Sequence, residues 1–309
     1  MLYAIVMLMS ETLLIILILA LLGLCFGSFV NALVFRLRKA EEPAVISIGN
    51  KLRALLRRLM TFDFKQAPAK NRYSMWTGRS MCSRCEHPLA VQDLVPLFSW
   101  LALGGKCRYC KKPIKDSPIV EAILPVVFVV SYLYWPQPLT EWYQLFGFVS
   151  FLAGVVGLAA LFIYDVRWYL LPDKIIWPLV AIAGVNALVQ AVAVQPQGDI
   201  LGSILFYLYG LLPIAGLYWL IYAFSKGRMV GLGDVKLGLF IGLSLGWPGA
   251  LATLFLANLL GALYAAPLML TGGLKRDSRI PFGPFLIIAY FIAAIWGGAI
   301  ISWYTGGLL

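Results

Sequence analysis

The sequence predicts an all-α polytopic membrane protein of about eight transmembrane helices, with a small zinc-binding cytoplasmic domain between helices 1 and 2. Three observations predict it: an apolar composition, eight apolar runs of near-spanning length, and basic residues confined to alternate loops. Apolar residues make up 61% of the 309 and charged residues 13%, against roughly 45–50% and about 25% in soluble proteins. Mean hydropathy is +0.85. With a single histidine the chain has no two-histidine HExxH zinc centre, and His87 is the only candidate for a Ser-His pair. Five cysteines are sparse and odd in number, which does not fit a secreted disulfide scaffold.

The first run, Met1–Val34, is too long for a signal-peptide core, and Glu11 with the Gly23/Gly27 pair fits a span. Further runs fall at 119–135, 142–164, 175–194, 200–224, 235–247, 249–270 and 284–303. A spanning helix needs about 20 apolar residues at ~1.5 Å each. Only 235–247 is clearly short. It follows a glycine loop, so its start is expected below the membrane surface, in a protein-lined cavity.

Alternation from the first span puts 36–117, 165–174, 225–236 and 271–283 on one side. These segments hold 17, 2, 3 and 3 of the 25 Lys and Arg residues, which is all of them. The opposite loops carry Glu141 and Asp199 and no base. By the positive-inside rule the basic segments are cytoplasmic and both termini lie outside. The net charge of +11 therefore reads as an orientation signal, and no nucleic-acid partner is expected. Three regions follow: 1–35, the first transmembrane helix; 36–117, a cytoplasmic zinc-knuckle domain; and 118–309, a seven-helix membrane domain.

Within 36–117, Asn50–Lys65 has helical spacing, with Leu52, Leu55, Leu56, Leu59 and Phe62 on one face and Lys51, Arg53, Arg57, Arg58 and Lys65 on the other. It reads either as a basic helix lying on anionic membrane lipid or as a solvated insertion. Farther on, Cys82-x-x-Cys85 and Cys107-x-x-Cys110 fit two facing knuckles around one tetrahedral Zn²⁺ at ~2.3 Å. Gly104 and Gly105 permit the second turn, and Lys106 and Arg108 offset the excess negative charge. Cys25, in the first span, reads as a packing residue.

Acidic residues at membrane depth are costly, and so mark functional candidates. Two sit where apolar runs meet short turns: Asp165, ending Leu161-Phe-Ile-Tyr164, and Asp234, closing Gly231-Leu-Gly233-Asp234. Facing each other, they would share one proton, because desolvation and repulsion oppose a second charge. That state suits amide hydrolysis: the ionised member takes a proton from water while the protonated member polarises the carbonyl. Two spans separate the pair in sequence. Read from residues alone, water-facing helix-end acids and a proton- or cation-coupled transporter both stay open, as does a zinc-ribbon membrane scaffold. Asp173 in Leu171-Pro-Asp173 is placed to cap the next helix. Lys236 reads as a positioning charge for Asp234 or a snorkelling lysine.

Together these residues resemble the type IV prepilin leader peptidases, membrane aspartic endopeptidases with a GxGD motif. The resemblance rests on Gly27-Ser-Phe-Val-Asn31 with Arg36; the paired CxxC knuckles with Leu97-Phe-Ser-Trp-Leu101 between them; Asp165 through Leu171-Pro-Asp173; Gly231-Leu-Gly-Asp-Val-Lys-Leu237; and Ile280-Pro-Phe-Gly-Pro-Phe285. It implies that Asp165 and Asp234 are the catalytic pair, supported by Gly231, Gly233, Lys236 and Asp173. Implied too are cleavage of type IV prepilin or pseudopilin leaders at the cytoplasmic face of the inner membrane and, often, N-methylation from S-adenosylmethionine. Methylation is attributed to the cytoplasmic domain, where Gly105-Lys106-Cys107 matches the associated part. Glu121, at the start of the second span, is a candidate for the basic side of the leader, or else an ordinary helix N-terminal acid. The chain departs from the family at Arg167, where many members carry a second acid, and in its longer, more basic stretch 40–72.

Overall fold

The computed structural model describes residues 2–41 (side chains from Ser10 to Ala40), 80–82, 84–85, 87–114, 118–193, 199–273 and 280–306. The basic helix expected over 50–65 lies outside the described residues. Among the described residues the regular structure is helical apart from two isolated β-bridges, and the chain divides into two compact units, Met1–Val126 and Val127–Leu309.

The first unit is built on α1 (Leu2–Glu41), whose last turn carries Arg38 and Lys39, the sign that a helix C-terminus favours. A five-residue helix, α2 (Phe98–Ala102), follows the 3-10 turn Val91–Leu94, and the start of α3 (Ile119–Leu133) completes the unit. Helices α1 and α3 touch backbone to backbone. A Cβ on Gly23 would lie 2.5 Å from Pro125 Cα, and one on Gly27 would lie 2.6 Å from Glu121 Cα. Glycines four apart thus form the close-approach face that membrane helices use in place of a hydrophobic driving force.

The second unit packs α4 (Trp142–Trp168), α5 (Asp173–Ala193), α6 (Ile200–Tyr209), α7 (Leu217–Ser225), α8 (Leu232–Leu270) and α9 (Gly283–Tyr304), with a π-helical turn, Leu212–Gly216, between α6 and α7. Its core holds Tyr164, Leu161, Ile214, Leu237, Ile241, Leu286 and Tyr290. Leucines and aromatics such as Leu188, Phe255 and Leu263 face outward, as expected where the solvent is lipid. Buried polar side chains donate to backbone carbonyls: Ser131 Oγ to Val127 O (2.6 Å) and Thr253 Oγ1 to Gly249 O (2.8 Å) within their own helices, and Gln190 Nε2 of α5 to Tyr143 O of α4 (2.8 Å). Inside hydrocarbon no water would satisfy them.

Six described helical stretches are long and apolar enough to cross a membrane, where the sequence predicts about eight spans. Two differences account for this. The run 119–135 yields only the 15-residue α3. The runs 235–247 and 249–270 join without a loop, because Gly246 alone makes the break at φ 67° and ψ −175°. Only glycine tolerates that backbone, and a Cβ there would overlap the ring of Phe206.

Candidate functional site

Four helix ends meet at one end of the second unit: the C-terminus of α4 and the N-termini of α5, α8 and α9. Asp165 lies one turn from the end of α4 and is 6% exposed. Its Oδ2 accepts from Gly283 N at 3.1 Å, a first-turn amide of α9 that has no partner within its own helix. A Cβ on Gly283 would sit 2.6 Å from that oxygen, so this contact requires glycine. The chain then leaves α4 through Tyr169, left-handed at φ 56°, whose N–H caps Asp165 O at 2.8 Å.

Asp234 is the third residue of α8, half-buried. Its carboxylate reaches back to Gly231 N (3.4 Å), as the acid of a capping box does. It lies within electrostatic range of Asp165. Gly233 lets α8 approach the α4–α5 turn, since a Cβ there would be 2.9 Å from Leu171 Cβ. Lys236 Nζ donates to Asp173 Oδ1 at 2.6 Å and lies 5.9 Å from the Trp177 ring centre. Lys236 is thus an α5–α8 tie. Asp173 sits within the first turn of α5 with its carboxylate turned to that tie. Tyr218 of α7, 5% exposed, lies close to Asn258 and to Asp234.

In the first unit the Sγ atoms of Cys82, Cys85, Cys107 and Cys110 all lie within 4.8 Å of one another. A tetrahedral Zn²⁺ with bonds of ~2.3 Å needs sulfurs about 3.8 Å apart, so the donor set fits. The knuckles match each other. In one, Cys82 N donates to His87 O (3.0 Å) beside the Met81–Pro88 bridge; in the other, Cys107 N donates to Lys112 O (2.9 Å) beside the Lys106–Pro113 bridge. Burial pushes the Cys82 thiol up to about 11. Cys107 is buried too, yet the N–H groups of Cys110 and Tyr109 draw it down to about 7. His87 supplies no ligand; its ring packs on Tyr109 at 3.8 Å and joins the two knuckles.

Comparison with known proteins falls on this same division. Residues 21–135 match the bacterial peptidase A24 N-terminal domain, and residues 151–266 match the type IV leader peptidase family. The chain belongs to the type IV leader peptidase family. Among curated proteins it is 32% identical over 290 residues to the prepilin leader peptidase/N-methyltransferase of Aeromonas salmonicida, covering 94% of this chain and 93% of that one. The protein of the same name from Pseudomonas aeruginosa is 31% identical over 290 residues (92% and 91%). That of Legionella pneumophila is 30% identical over 295 (94% and 94%). No solved structure matches the chain.

The structure also places the remaining residues that the family resemblance singles out. Glu121, in the first turn of α3, has partners for both carboxylate oxygens: Oε2 accepts from Leu97 N (2.8 Å) and Oε1 from Asn31 Nδ2 (3.4 Å). Leu97 is held at φ 58°, a backbone that leucine rarely adopts, and the Glu121 bond anchors it there. Glu121, Asn31, Ser28, Arg36, Asp93 and Trp100 contribute to a cavity of about 160 Å³. Gly105 backs one wall, since a Cβ there would meet the Trp100 ring at 3.0 Å, and Lys106 belongs to the knuckle ladder.

Sequence reasoning quoted Gly283 within Ile280-Pro-Phe-Gly-Pro-Phe285 but gave it no role, and it missed Tyr218, which carries no signal of its own.

Proposed function

We propose that this chain is an inner-membrane aspartic endopeptidase that cuts the leader from type IV prepilin-like proteins at the cytoplasmic face, then N-methylates the new terminus. The relatives' names supply the substrate and both activities. The observation that carries the peptidase reading is the buried Asp165 carboxylate, held by the Gly283 amide within electrostatic range of Asp234.

In this reading one proton is shared between Asp165 and Asp234. The ionised carboxyl takes a proton from water as its oxygen attacks the scissile carbonyl carbon, and the other carboxyl gives its proton to the carbonyl oxygen. Collapse breaks the C–N bond: the leaving amine takes the proton that the first carboxyl removed from water, and the second carboxyl recovers its proton from the hydroxyl that becomes the product carbonyl. Gly231, Gly233 and the Lys236–Asp173 tie are supporting residues that hold α8 against α5. The catalytic region is 118–309 and the cytoplasmic zinc-knuckle domain 36–117, with residues 1–35 as the first span and both termini outside. Cys82, Cys85, Cys107 and Cys110 hold a structural Zn²⁺, which clamps two turns with little other regular structure between them. Glu121 is the acid that a basic leader meets, through the lone pairs that Leu97 and Asn31 leave open. Gly105, which lies against the Trp100 ring, and Lys106 beside it are the residues through which the knuckle domain serves methylation.

The test is to incubate the purified chain, in lipid, with a prepilin carrying a basic leader and with S-adenosylmethionine. The expected product has lost its leader and gained one methyl group on its new N-terminus; an intact prepilin would refute the peptidase reading. Gly283→Val should then slow cleavage by about 10²-fold, the cost of misplacing a catalytic group by roughly an ångström. Gly273→Val, where a Cβ finds no atom closer than 3.5 Å, should leave the rate unchanged in the same assay.

A further inference from the structure

The segment between the knuckles turns apolar side chains outward. Val91 is 85% exposed, Val95 45%, Phe98 66% and Leu101 65%. Their neighbours Ser99, Trp100 and Leu103 face the other way and line the 160 Å³ cavity. A soluble surface rarely shows several large apolar groups in so short a stretch without a partner.

The depth of this segment follows from its anchor. Leu97 N is bonded to Glu121, whose other oxygen is bonded to Asn31 of α1. Asn31 precedes Arg36, the first base on α1, by five residues, roughly 7–8 Å of helix toward the membrane. Phe98 and Leu101 therefore hang from a point on the membrane side of the first basic residue, in the headgroup region. The loops beside them carry exposed Lys106, Lys111 and Lys112, the charge that suits anionic phospholipid.

We propose that Val91, Val95, Phe98 and Leu101 insert into the adjacent leaflet and seat the knuckle domain on anionic phospholipid, as interfacial amphipathic segments do. The seat is separate from the chemistry of the aspartate pair and stands whether or not that reading holds. It also gives Glu121 a second consequence. By fixing the strained Leu97, Glu121 sets the height at which the apolar face meets the lipid.

Photo-crosslinking tests this on the full zinc-loaded chain. Benzoylphenylalanine replaces Phe98 or Leu101 in turn, and also Leu17 of α1, 53% exposed, as a lipid-facing control. Gln92 serves as the polar control. The protein is irradiated in nanodiscs of phosphatidylethanolamine and phosphatidylglycerol, and adducts are read by intact mass. The proposal expects adducts of one phospholipid at 98 and 101, as at 17, and none at 92. Adducts at 98 or 101 to residues of 127–309, to a second copy, or to added prepilin would overturn it. So would no adduct at 98 and 101 while position 17 gives lipid.

Discussion

Replacing Asp165 or Asp234 with Asn will stop prepilin cleavage while the chain still inserts and folds. A carboxamide keeps the shape and still accepts from Gly283 N or Gly231 N. It neither takes a proton from water nor gives one up at the required moment. A positioned acid or base contributes about 10²–10⁴-fold, so each variant should fall by at least the lower figure. Time courses of leader loss in one lipid mixture measure this, with the elution profile of the purified protein confirming an intact fold. A rate within about tenfold of the parent in either variant would remove that residue from the chemistry.

The second large effect belongs to the knuckles. Chelating the metal, or changing Cys82 or Cys107 to Ser, will open the stretch around residues 80–114. Few other contacts hold it: two isolated bridges, the turn hydrogen bonds beside them, the His87–Tyr109 ring contact, the Asp93–Arg108 pair at 2.7 Å and the Leu97–Glu121 bond. A structural Zn²⁺ contributes on the order of 10 kcal/mol to the folding of such small units. Cys82 and Cys107, 7% and 3% exposed, are the two sulfurs whose loss is least compensated by solvent. Metal analysis should find one zinc per parent chain and none after chelation. Limited proteolysis should then cut within 80–114 and spare the helices of the second unit. Full protease resistance without metal would show that the knuckles stand without it.

Some of this site is legible in the sequence because its signals are local. Two Cys-x-x-Cys pairs need only a turn each, and an aspartate that ends an apolar run is conspicuous wherever it lies. The apolar runs likewise predict their helices, because the bilayer admits few other backbones. What stays hidden depends on contacts between distant residues. Gly283 touches Asp165 across 118 positions, and nothing near either residue encodes the pairing. Lys236 reads as a positioning charge for Asp234, two residues away, or as a snorkelling lysine. The fold instead carries it to Asp173, 63 positions away, on a helix whose neighbour is set by packing. The runs 235–247 and 249–270 read as two spans, whereas they join in one helical stretch broken at Gly246, whose backbone requires glycine. Glu121 shows the same limit: its place at the start of an apolar helix was evident, but its bond to the backbone of Leu97 was not.

The central claim is that Asp165 and Asp234 act as one unit, and a double-mutant comparison tests it most directly. Cleavage rates are measured for Asp165→Asn, Asp234→Asn and the variant carrying both, in the same lipid and with the same prepilin. Groups that share one proton are non-additive, since removing either disables the pair. The account predicts that the double variant is no slower than the slower single variant. If the two losses multiply, or if either single variant keeps most of its activity, the two carboxyls do not form a catalytic pair.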